Sequence, residues 1–407
     1  MIGTQLHKRV VAKKQPGLGQ PAGTTGGVYL RRVNSTLNEK FTSSKSNEIR
    51  TSQQIADQRL GMGSTEGNLN GELSLGSYAD FMASLLRSEW IPPVSNTLSD
   101  ITADVAGTFT TVAGDFLATG FKIGMVVNLE GWTVETGNND HYFWITALTN
   151  TIMTGRFLNG DPVVTAASGD SVTIKEIGKH CFMPKTGHVY DYWAFENQHP
   201  NMTPVQSELF SDQVITSMDL TIPPTEIATV AFGIMGVGKT MFSGADAPYF
   251  TAPDEPTTGR ATAGANGMIL LPNGVTAVAT ALSLSVTGNY QFPPGTVGNN
   301  RYNDIIPGPL EASGSLSVLF ENADMFDAFR TETEALISIV MTTNNDAMPG
   351  FIVINLPRVK FQAADSDDGE TGIVISMPFV ELENDVLGGD GKATEWTTIW
   401  IQDSEMA

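Results

Sequence analysis

The chain has 407 residues, of which 16% are charged, 41% are hydrophobic and 41 are glycine. That composition excludes a disordered chain or a coiled coil and fits a turn-rich, β-rich globular protein of about two to four domains. The net charge of −21 is unevenly spread: residues 1–50 carry nine Lys/Arg against two Asp/Glu, and the remainder 14 against 42. A body this acidic repels phosphate and excludes ordinary nucleic-acid binding by charge attraction.

No apolar run approaches the roughly 20 residues that span a bilayer, and the N-terminus lacks the apolar stretch of a secretory signal. One cysteine, Cys181, excludes an intrachain disulfide framework and suits synthesis in a reducing compartment. In chain order, residues 1–27 are rich in Gly, Pro, Thr and Lys without an apolar period, which predicts an extended N-terminal arm. It is either a solvated tail or a segment that docks on an acidic copy of the chain.

Next comes an internal repeat. Gly67–Ser74 alternates with Leu69, Gly71 and Leu73 on one face, and Gly314–Glu321 alternates in the same phase with Leu316, Val318 and Phe320. Period two marks a half-buried strand. Each strand leads into a helix. Ser77 can cap the first, whose stripe is Tyr78, Phe81, Met82, Leu85 and Leu86; Asn322 can cap the second, with Met325, Ala328 and Phe329. Upstream, Asn47-Glu48-Ile49 corresponds to Asn303-Asp304-Ile305, and Val28–Asn38 and Val275–Tyr290 are both strand-like. Downstream, each copy ends in an apolar hairpin: Ser207–Ile234 turning at Pro223-Pro224, and Phe351–Leu382 turning at Asp365–Gly369.

Between the first helix and its hairpin lies a block without counterpart. Its β-like runs fall near Thr108–Val112, Met125–Leu129, Tyr142–Leu148 and Ser171–Ile177. The predicted organisation is therefore an arm (1–27), repeat 1 in two pieces (28–96 and 178–242), an inserted small all-β domain (97–177), a Pro-rich linker (243–274) and repeat 2 (275–407).

Catalytic patterns are weak. Gly233–Thr240 fits the phosphate-binding pattern G-x-x-x-x-G-K-T, but Pro248, Pro253 and Pro256 prevent the helix that such a loop must enter. His180, Cys181, His188 and His199 fit no common zinc spacing. Asp367-Asp368 and Glu381/Glu383 are the acidic pairs that could serve as catalytic carboxylates or calcium ligands, but Asp367-Asp368 sits in a predicted hairpin turn, where Asp is favoured for local hydrogen bonding. No aromatic residues interleave with basic ones to stack bases, and Tyr190-Asp191-Tyr192-Trp193 is expected to pack on both strand faces. No catalytic residue, cofactor or metal is predicted.

Ser46–Arg50, Gln54–Asp57, Gly67–Ser74, Gly76-Ser77-Tyr78 and Phe81, with the hairpin Val214–Gly238, resemble the tail tube (major tail) proteins of long, non-contractile-tailed phages. The resemblance covers most of the chain outside its N-terminus and the linker. It implies a mainly β structural virion protein: two tandem β-sandwich/barrel repeats, each with one short helix, plus the inserted domain. It implies rings that stack into a tube for genome passage, made in the host cytoplasm and residing in the virion tail. The implied partners are the chain itself, the tape measure protein and duplex DNA in the lumen, and tail terminator and tail tip proteins at the ends. No membrane partner is implied.

If each repeat gives four strands to a closed wall, three chains make a barrel on the order of 50 Å across, taking about 4.8 Å per strand and a tilt of roughly 40°. Inward side chains leave room for a duplex. A duplicated chain then predicts trimeric rings with pseudo-sixfold symmetry, although six single-repeat arcs per ring is also the count of a simple hexamer. An acidic lumen would let DNA slide, and Lys8, Arg9, Lys13 and Lys14 become candidates for contact between rings. The competing expectations are another self-assembling or adhesive fibre or surface protein, and a hydrolase.

Overall fold

A computed structural model describes residues 7–271, 279–319, 324–367 and 372–406. Several expected features lie outside the described residues: the start of the arm, Pro272, Val275, Phe320, the Asn322 cap, the Met325 and Ala328 side chains, and Asp368-Gly369. The chain opens with strands β1 (Arg9–Gln15), β2 (Val28–Tyr29), β3 (Asn34–Ser35), β4 (Asn38–Lys45) and β5 (Gln58–Glu72), then helix α1 (Ala79–Leu85). The inserted block follows: β6 (Ser95–Leu98), β7 (Thr102–Asp104), β8 (Thr108–Thr110), α2 (Phe116–Thr119), β9 (Val126–Glu130), β10 (Tyr142–Leu148), β11 (Ile152–Phe157) and β12 (Val172–Glu176). The chain returns through β13 (Lys179–Phe182), β14 (Tyr192–His199), β15 (Gln206–Ile222) and β16 (Thr229–Ser243). The second half holds β17 (Gly267–Leu270), β18 (Ala279–Thr287), β19 (Glu311–Leu319), α3 (Asp324–Arg330), β20 (Ala335–Thr342), β21 (Phe351–Phe361), β22 (Asp365–Ser366), β23 (Val374–Glu381) and β24 (Trp400–Asp403).

The two halves pair their strands in the same antiparallel order. The first runs β4–β5–β16–β15–β14. The second runs β18–β19–β23–β21–β20. A helix follows β5 in one and β19 in the other. Leu69 faces Phe232 and Leu316 faces Met377, so the matched apolar positions sit at matched places in the sheet. The halves are joined where β15, having left β14 after Gln213, takes β18 along Ser217–Ile222.

Alternation explains the core. On β16, Val230, Phe232 and Ile234 are buried while the intervening residues are less so. They share one apolar cluster with Leu69, Leu73, Leu316, Val318 and Met377. The α1 stripe enters the same cluster through Tyr78, Phe81, Met82, Leu85 and Leu86. Phe81 meets Trp193 edge-on at 5.0 Å and Phe232 at 5.6 Å. Burying such a ring stabilises by about 1.5–3 kcal/mol. The expected Ser77 cap is corrected: the cap position is Tyr78, without a side-chain bond, and Ser77 Oγ is engaged with Ser74 and Thr257.

Two further readings change. The segment read as an arm holds a sheet strand, β1, paired along its length with β14. Val10 and Ala12 enter the main core, and Val11 packs on the opposite face with Ala194, Leu209 and Phe250. The short apolar run is hidden between cationic flanks, so no period is visible. The Pro-rich linker is also pinned. Phe250 is fully buried, the Glu196 carboxylate accepts the Tyr249 and Phe250 N–H groups, and β17 pairs with β20.

The insert forms a seven-stranded sheet beginning at Ser95, with its own core around Phe109, Phe143 and Trp132. It is docked as well as tethered. Val126, Trp144 and Leu158 pack on Val340, Phe351 and Val353. The Gln402 side chain bonds Val126 N–H and donates to the Val126 and Ile177 carbonyls at 2.8–2.9 Å. This docking accounts for strands β20 and β21 being apolar on both faces. The β1 and Tyr249–Phe250 segments do the same for β14 and β15.

Arg87 holds the joint between the halves. It is buried at 4% exposure, donates to the Gly288 and Gly308 carbonyls at 3.0 and 2.7 Å, and lies over the Tyr190 and Tyr290 rings. Arg87→Ala should lower unfolding stability by about 3 kcal/mol, because two charged hydrogen bonds and the stacking on two rings are lost; chemical denaturation checks this. Arg87→Lys should rescue part of this, since both carbonyls accept from the one Nη2, which an ammonium can replace, while the planar stacking on the two rings is lost.

Asp403 accepts the Gly76 and Glu405 N–H groups, and burial pushes its carboxyl up from 3.8 to about 6. The folded state therefore binds this proton more tightly than the unfolded chain. Its contribution to stability is full below about pH 4 and lost as pH rises to about 6. Thermal midpoints measured across that window should fall for the parent and stay flatter for Asp403→Asn.

Candidate assembly surface

The residues singled out for chemistry have structural places. Gly233–Thr240 is continuous strand within β16, which runs on to Ser243 and then into a single 3₁₀ turn. Its glycines admit the facing strand: a Cβ at Gly233 would overlap Ser217, and one at Gly236 would overlap Gln213. Lys239 pairs with Glu208 at 3.0 Å instead of facing an anion. The backbone amides of a strand point sideways into its ladder, so they cannot converge on phosphate as those of a P-loop do.

His180 Nδ1 lies 2.7 Å from Glu176, whose other oxygen accepts the Val94 N–H at 3.0 Å. This buried pair fixes the root of the insert. Cys181 is wholly buried and its thiol is pushed up by desolvation, which suppresses the nucleophilic thiolate. Among the described residues no group of three or more His, Cys, Asp or Glu is arranged to hold a metal. Asp367 N–H bonds the Val374 carbonyl in the β22–β23 turn, and Glu383 O accepts from Arg358. Glu381 is fully buried and its carboxyl is held well above its usual range by desolvation.

The informative surfaces are sheet edges. β3 and β4 each pair with β5 on one side, and the other side has no strand partner among the described residues. Asn38 and Lys40 are exposed on this edge, while Leu37 turns into the core. The second open edge follows β21. β20 leaves β21 at Val359, and among the described residues Gln362, β22 and Asp367 continue with only β23 beside them. Gln362, Asp365, Ser366 and Asp367 are exposed, and Ala364 packs on the core. Unpaired edges of this kind are templates for another chain.

Of the four basic candidates from the sequence, Lys13 donates to the Thr25 carbonyl at 2.6 Å and Lys14 pairs with Asp191 at 2.7 Å. Both have partners within their own chain. Lys8 and Arg9 are instead brought together with Arg31 and Arg32 around a cleft of about 660 Å³, bordered by Tyr29 and Glu255. Arg31 donates to the Gly259 carbonyl, Arg32 to the Lys8 carbonyl and Arg9 to the Tyr29 hydroxyl. None of the four makes an ion pair among the described residues, although Lys8 also feels the more distant Glu208. Burial and the neighbouring Arg32 hold the Lys8 ammonium below its usual range. Arg31 and Arg32 had not been read as site residues, because the arm was bounded at residue 27. The adjacent Arg-Arg pair inside the only basic stretch was the available signal.

No helix among the described residues is long and apolar enough to cross a membrane. A search of curated proteins finds no match. A family model described as phage tail tube protein matches residues 7–380, which takes in both halves and the insert. The chain belongs to the phage tail tube protein family, a family of structural proteins of the virion tail.

Proposed function

We propose that three copies of this chain close into a ring with pseudo-sixfold symmetry, that rings stack into the tail tube, and that duplex DNA passes through the lumen during ejection. The observation that carries this reading is the repeated pairing order of the two halves. Each half offers a four-strand set, β4–β5–β16–β15 or β18–β19–β23–β21 with β22 continuing β21, and β15 joins the two sets by pairing with β18. Six such sets, at about 4.8 Å per strand and roughly 40° tilt, close a barrel on the order of 50 Å across.

The acidic balance of residues 51–407 supports a passage role, since a like-charged wall does not retain a polyanion. In this reading the tape measure protein fills the lumen before DNA does, and terminator and tip proteins meet the end rings. Subunits made in the host cytoplasm add to a growing tube.

Electron microscopy of the purified protein tests the reading. Hollow rings or tubes with three-fold symmetry and six similar wall segments are expected. Solid fibres, or particles with no axial channel, would overturn it in favour of an adhesive or fibre role.

A further inference from the structure

The junction between the halves gives a template for the junction between copies. Inside the chain, Ser217–Ile222 of β15 pairs antiparallel with Leu282–Thr287 of β18, Asp219 facing Ser285 and Leu220 facing Leu284. The partners of β15 and β18 in the other half can be located through the ladders. Asp219 faces Ala231, which faces Asn70; Asp365 faces Ser376, which in turn pairs with Ser317 of β19. Asn70 and Ser317 each follow the matched leucines, Leu69 and Leu316, by one residue. Asp365 therefore occupies the place of Asp219. In the same way Ser285 faces Ser313 and Asn38 faces Glu66, each three residues before the matched leucine. Asn38 therefore occupies the place of Ser285.

Within one chain these two places are filled in the first case and open in the second. β15 has its β18, but among the described residues no strand lies on the outer side of Gln362–Asp367 or of β3–β4. We infer that the ring closes by antiparallel pairing of Gln362–Asp367 of one copy with Thr36–Phe41 of a second copy, Asp365 facing Asn38 and Ser366 facing Leu37. The inference rests on the ring reading and adds to it the identity and register of the seam.

Charge supplies an independent check on the direction. In this register the chain beyond Asp365 runs toward residues of falling number on the neighbouring copy, from Asn38 toward Arg32 and Arg31. The sequence there is Asp365-Ser366-Asp367-Asp368-Gly369-Glu370. The cleft of Lys8, Arg9, Arg31 and Arg32 thus lies on the side toward which the carboxylates of Asp365 and Asp367 lead. Asp365 and Asp367 make no ion pair among the described residues, so both partners bring unneutralised charge. An anion on the cleft would also relieve the crowding of Lys8 against Arg32. Lys8 and Arg9 are thereby assigned to the seam within a ring and not to contact between rings. The charged residues that flank both edges would keep a free copy from pairing with the wrong strand.

Paired cysteines test the seam. Opposite residues of an antiparallel pair have Cα atoms about 4.5–5.5 Å apart, within disulfide range. The native Cys181 is fully buried and stays silent. Assembled Asn38→Cys/Asp365→Cys protein, mildly oxidised, should give covalent dimers and closed trimers on denaturing gels. Neither single variant should go beyond a trace of dimer. Rings that form without this cross-link overturn the seam and leave the tube reading standing. Unmodified protein that forms no rings at all overturns the tube reading and the seam with it.

A second pair of variants guards against a cysteine protein that fails to assemble. Arg31→Glu/Arg32→Glu should remain monomeric at a protein concentration where the parent assembles, with an unchanged circular dichroism spectrum. Adding Asp365→Lys/Asp367→Lys to the same chain should restore rings, because every seam then sets lysines against glutamates. Assembly by the Glu variant alone, or loss of a duplex-DNA affinity that the parent possesses, would assign the cleft elsewhere and overturn the inference.

Discussion

The structure depends on the requirement that backbone N–H and C=O groups at a sheet edge find partners. A buried amide left unpaired costs about as much as a lost hydrogen bond or more, so a β-rich chain must end its ladders against something. Here the first half ends against the second, where β15 exchanges β14 for β18 partway along its length. That exchange turns two sheets into one continuous path. It also leaves the chain with two edges of the same kind, one at each end of the path. A chain that joins its own halves in this way carries the instructions for joining its copies.

The remaining elements keep the path rigid and its second face covered. The α1 stripe fills the core beside β16, and Arg87 ties the end of that helix to the loop between β18 and β19. The insert covers β20 and β21 through Trp144 and Gln402, while β1 and Phe250 cover β14 and β15. Each sheet is therefore apolar on both faces for a local reason. These covers use different segments in the two halves, so duplication of the pairing order has survived divergence of the surroundings.

Much of the wall was legible in the sequence because buried strands leave a period. Val230, Phe232 and Ile234 alternate, as do Leu316 and Val318, and Pro223-Pro224 and Asp365–Gly369 mark the turns between long strands. The insert was legible too: Tyr142–Leu148 has the bounds of its strand. What escaped notice had little apolar signal to give. The Gln58–Leu60 start of β5 and nearly all of β4 are exposed, so neither face there selects hydrophobic residues. Val10–Ala12 is too short to show a period between its lysines and arginines. Phe250 lies among prolines, and its burial comes from contacts far away in sequence. The cationic cleft was split by the boundary drawn between arm and strand, because only folding brings Arg31 and Arg32 beside Lys8.

The central claim is that an internal strand junction is repeated between copies, and amide hydrogen exchange tests it most directly. Ser217–Ile222 and Leu282–Thr287 are paired within the chain and should exchange slowly in the free protomer and in the assembly alike. The amides of Thr36–Phe41 and Gln362–Asp367 that are not already bonded to β5 or β23 should exchange quickly in the protomer and fall to the same slow rate once rings form. If those two segments remain fast in assembled tubes, the copies are joined by some other surface and the account is wrong.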